Sequence, residues 1–67
     1  MDEEKLNLSL RKFLKQVGVT SQRELEKAVR AADERGQLPP GGLEVSVQLV
    51  CPQLDVSHKI EGRLETD

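Results

Sequence analysis

The sequence holds one cysteine, Cys51, and one histidine, His58. A lone cysteine cannot close a disulfide within the chain, and the two together cannot supply the four ligands of a structural zinc site. Aromatic residues come down to Phe13, so the stacking platforms that hold single-stranded nucleic acid are missing. No apolar run approaches the ~20 residues of a membrane span. The acidic start Met1-Asp2-Glu3-Glu4-Lys5 does not lead into a signal-peptide-like stretch. An excess of one charge is lacking too: ten Lys/Arg stand against twelve Asp/Glu, a net charge of −2, which gives no strong electrostatic address. The expectation is a cytoplasmic protein with no metal, no cofactor and no membrane contact. At 67 residues it is one domain, 1–67, of a size that often leans on self-association for stability.

What is present is patterned. Leu6, Leu10, Phe13, Leu14 and Val17 fall on one helical stripe at ~100° per residue. Arg11, Lys12 and Lys15 fall opposite, with Leu8 among them. Gly18 reads as a helix stop, and Ser21-Gln22-Arg23-Glu24 matches the capping box that opens a helix. Leu25, Ala28, Val29 and Ala32 then give a second stripe, ended by Gly36. The expectation is a helical hairpin, about 4–17 and 21–35. A Pro/Gly loop, 37–42, follows.

After the loop, apolar and polar residues alternate with the period of a half-buried strand. Strands are expected at about 43–50 and 55–65, turned by Cys51-Pro52-Gln53-Leu54. That turn sets Leu49 opposite Val56, Val47 opposite His58 and Val45 opposite Ile60, at the cost of facing Glu44 with Glu61. The fold class read from the chain is therefore α+β, a helical hairpin packed on one face of an antiparallel β-hairpin. An isolated two-stranded sheet is marginal in water, so a homodimer with hairpins joined edge to edge is expected.

Chemistry is sparse. Cys51 and His58 are the pair that could suggest nucleophilic catalysis, but the expected register puts them roughly 13 Å apart. No enzyme is expected. The elbow around Gly18 has the outline of a helix-turn-helix, with Arg23, Lys27 and Arg30 where recognition residues would sit. Glu24 and Glu26 beside them and the acidic balance argue against it, so nucleic acid is the less favoured partner. The leading reading is an interaction or structural module, with Leu8, Arg11, Lys12 and Lys15 as partner contacts.

The run Arg-Lys-Phe-Leu-Lys-Gln-Val-Gly-Val-Thr-Ser-Gln-Arg-Glu-Leu-Glu-Lys-Ala-Val-Arg, residues 11–30, resembles the signature of a small bacterial family of uncharacterised proteins, a domain of unknown function. The tail from Leu54 to Glu65 is similar to that family's ending. The resemblance implies a compact domain of about this length and a bacterial source. It brings no activity and no catalytic residue.

Overall fold

A computed structural model describes residues 1–66. It contains one helix, α1 (Glu3–Glu34), and two strands, β1 (Leu43–Cys51) and β2 (Val56–Leu64), with a short 3₁₀ turn at Pro52–Leu54 between the strands. The class is α+β, as the patterning implied. The helical hairpin is not formed: the segments expected at 4–17 and 21–35 are one continuous helix of 32 residues.

The reason lies in phase. Val17, Ser21, Leu25, Ala28 and Ala32 follow at spacings of four, four, three and four, so the stripes on either side of Gly18 share one face of a single helix. Against that, an interior glycine costs only ~1 kcal/mol relative to alanine. Gly18 is not among the residues with positive φ. The expected capping box is replaced by interior helix, where Thr20 Oγ1 donates to the Gln16 carbonyl at 2.7 Å. The true N-cap is Asp2, whose Oδ1 accepts from the Lys5 N–H at 3.1 Å. Glu3 and Glu4 follow in the first turn, where the helix dipole favours negative charge.

The helix ends as its glycine suggested. Gly36, at φ 65, lets the chain fold back, and its N–H donates to the Asp33 carbonyl at 3.0 Å. The Gln37 N–H donates to the Ala32 carbonyl at 2.8 Å. Those two bonds satisfy carbonyls that the helix leaves without partners.

β1 and β2 pair antiparallel, but two residues away from the expected register. Leu49 faces His58, Val47 faces Ile60, Val45 faces Gly62, and Glu44 faces Arg63 rather than Glu61. The turn is longer than Cys51-Pro52-Gln53-Leu54. Cys51 belongs to β1, and Asp55 adds a residue at φ 56, a left-handed conformation that Asp tolerates. Leu54 is therefore not part of the strand face but stands 73% exposed in the turn. A shift of two keeps each side chain on its face, and it replaces a like-charge pair with an opposite one.

The hairpin lies alongside the helix. The Cα trace measures 52 × 20 × 17 Å, barely longer than the ~48 Å of a 32-residue helix. The chain is nonetheless far from compact, against what the family resemblance implied. No residue among those described is buried. The accessible surface is 6252 Å², whereas a compact chain of this mass would show about 4,200 Å². The radius of gyration is 16.0 Å, against about 11 Å for a compact domain of this length.

Candidate interaction surface

The cross-strand pairs sort the hairpin into two faces. One carries Leu43, Val45, Val47, Leu49 and Cys51 from β1 with Val56, His58, Ile60, Gly62 and Leu64 from β2. His58 is its only charged or polar side chain besides the Cys51 thiol. The other face is polar except at Val50: Glu44 meets Arg63, Ser46 meets Glu61, Gln48 meets Lys59 and Val50 meets Ser57. There Gln48 Nε2 donates to Ser57 Oγ at 3.1 Å, and Lys59 stands 3.7 Å from Glu61.

An open groove runs between the middle of α1 and the hairpin. Ser21 and Leu25 from the helix, with Val45, Val47 and Ile60 from the sheet, line a space of about 600 Å³. A second hollow of about 510 Å³ runs past Leu25 and Val29 to Leu64, and Ser21 and Leu25 line both. The side chains that should fill a core instead stand around a gap: Ile60 is 53% exposed and Val47 is 44% exposed. Further towards the N-terminus, Leu6, Leu10, Phe13 and Leu14 remain exposed, Phe13 at 54%. Sequence reasoning had these residues as two separate helix stripes. The in-phase spacing through Ser21 was the signal that they form one surface.

At ~100° per residue, Leu8, Arg11, Lys12 and Lys15 sit together on the side of α1 away from its apolar stripe. All four are exposed, Leu8 at 66%. Arg23, Lys27 and Arg30 are also exposed along the helix, and Lys27 lies 3.9 Å from Glu24. The turn that would make them a recognition helix is absent, because α1 runs straight through it. The helix-turn-helix expectation is therefore withdrawn.

Cys51 and His58 are closer than expected. The observed register makes them diagonal neighbours on one face, roughly 7–8 Å apart rather than 13 Å. The Cys51 thiol is turned to Gln53 instead, donating to its Oε1 at 3.9 Å. No group of three or more His, Cys, Asp or Glu suited to a metal ion occurs among the described residues. No helix among them is long and apolar enough to cross a membrane.

A model of a family of unknown function, DUF6494, matches residues 1–67. The chain belongs to that family. No curated protein matches it, and no solved structure does. The family match spans α1 and both strands.

Proposed function

We propose that this chain is a non-enzymatic interaction module whose working form is a homodimer. The observation that carries the reading is the lack of any buried residue in the described chain. Its surface exceeds that of a compact chain of equal mass by roughly 2,000 Å². Two chains covering that excess against each other would bury roughly 4,000 Å², the range of obligate homodimers. The amphipathic stripe of α1 and the apolar face of the hairpin are the surfaces that need the cover.

A further protein partner would meet the assembly on the outer side of α1, at Leu8, Arg11, Lys12 and Lys15. Those residues face away from the groove, so dimer formation leaves them accessible. The single cysteine fits a reducing compartment, such as the cytoplasm of a bacterium. Sedimentation equilibrium between about 1 and 100 μM tests the central claim. A mass of two chains of 7.5 kDa each is expected. A helical, folded monomer throughout that range would overturn it.

A further inference from the structure

We propose that the two copies join through β1, pairing antiparallel about a two-fold axis at Val47. This rests on the homodimer reading above and adds which edge forms the dimer, and in what register. In a two-stranded sheet both strands are edges, each with a free row of backbone N–H and C=O groups. The edges differ in how they are guarded. β2 carries Lys59, Glu61 and Arg63 with Gly62 among them, the charged residues that keep an edge from pairing. β1 from Val45 to Val50, Val-Ser-Val-Gln-Leu-Val, has no charge, no proline and no glycine. It is the open edge.

The register follows from length and faces. Val47 is the midpoint of Leu43–Cys51, so only a two-fold axis there pairs the whole strand with its copy. It sets Val47 beside Val47 of the other copy, Val45 beside Leu49, and Leu43 beside Cys51. On the other face Ser46 meets Gln48 and Glu44 meets Val50, and no like charges face each other. A shift by one residue would mix the faces of the two copies. The product is a four-stranded sheet in the order β2-β1-β1-β2 with one continuous apolar face, which meets the requirement of three or more strands for a sheet stable in water. The two-fold places both helices on that same face, where their stripes cover it.

Cysteine cross-linking under mild oxidation, on the full chain in a Cys51→Ser background, tests this. Directly paired residues fall within the Cα separations that a disulfide spans. Val47→Cys should give a covalent dimer, and Ile60→Cys, at the centre of β2, should not. Ser46→Cys and Gln48→Cys lie on the solvent side and leave the apolar face intact. Each alone should stay uncross-linked, and an equimolar mixture should yield the mixed dimer. Cross-linking of Ile60→Cys in place of Val47→Cys would overturn the choice of edge, and cross-linking of Ser46→Cys by itself would overturn the register. A dimeric mass with no cross-link at any of these positions would also overturn the inference while leaving the homodimer standing. A monomeric mass would overturn both.

Discussion

Glu44 and Arg63 stand opposite each other across the hairpin, carboxylate and guanidinium 3.7 Å apart. The same guanidinium donates to the Gly41 carbonyl, so one side chain ties the loop before β1 to the far strand. The pair is exposed and its energy is small. Its value is as a marker of register.

Glu44→Lys should lower stability by about 0.2–1 kcal/mol, because like charges would then face each other across the strands. In a register shifted by two, the same change would face Glu61 and stabilise. The sign of the shift in urea midpoint, at fixed protein concentration, decides between them. Reversing both partners, Glu44→Arg with Arg63→Glu, should recover most of the loss.

Gly18→Ala should stabilise the protein by up to ~1 kcal/mol. A Cβ at Gly18 meets nothing within 4 Å, and the helix continues through it. Were Gly18 a helix stop in the left-handed conformation, alanine would be strained there and the thermal midpoint would fall.

The caps separate in the same way. Asp2→Ala should cost about 0.5–2 kcal/mol, since its carboxylate accepts the Lys5 N–H at the start of the helix. Ser21→Ala, in mid-helix on the groove wall, should change stability by less than about 0.5 kcal/mol. Chemical denaturation of both variants at one protein concentration checks the contrast.

Gly42→Ala should be the most damaging of these changes, by about 1–3 kcal/mol. Gly42 has φ 89, and an added Cβ would lie 2.6 Å from the Leu64 carbonyl oxygen. The loop would have to move away from the end of β2. Loss of thermal midpoint with the helical circular dichroism largely retained at low temperature is the expected outcome.

The alternation from Leu43 onward shows the hairpin and its apolar face in the sequence, because period two fixes which residues share a side. It does not show the register, because a slip of two preserves every face. What decides the register is the length of the turn, and that depends on Asp55 accepting a left-handed backbone. The helix runs on through Gly18 for a related reason. A glycine followed by Ser-x-x-Glu is a local stop-and-start signal, and local signals of about 1 kcal/mol yield to a stripe that stays in phase over a 32-residue helix. The groove at Ser21, Leu25, Val47 and Ile60 depends on that continuity, since a helix broken at Gly18 has no middle to form its wall. Leu8, Arg11, Lys12 and Lys15 fall within α1, which already begins at Glu3, so their common side follows from the helical period over its first half alone.

On the homodimer reading, a chain with no buried residue among those described folds in a second-order reaction. The half-time of refolding should shorten in proportion as the chain is concentrated, and dilution should unfold it without denaturant. Newly made copies that meet no partner would present open backbone to proteases. The abundance of the protein would then set its own lifetime, with scarce chains cleared and plentiful ones preserved.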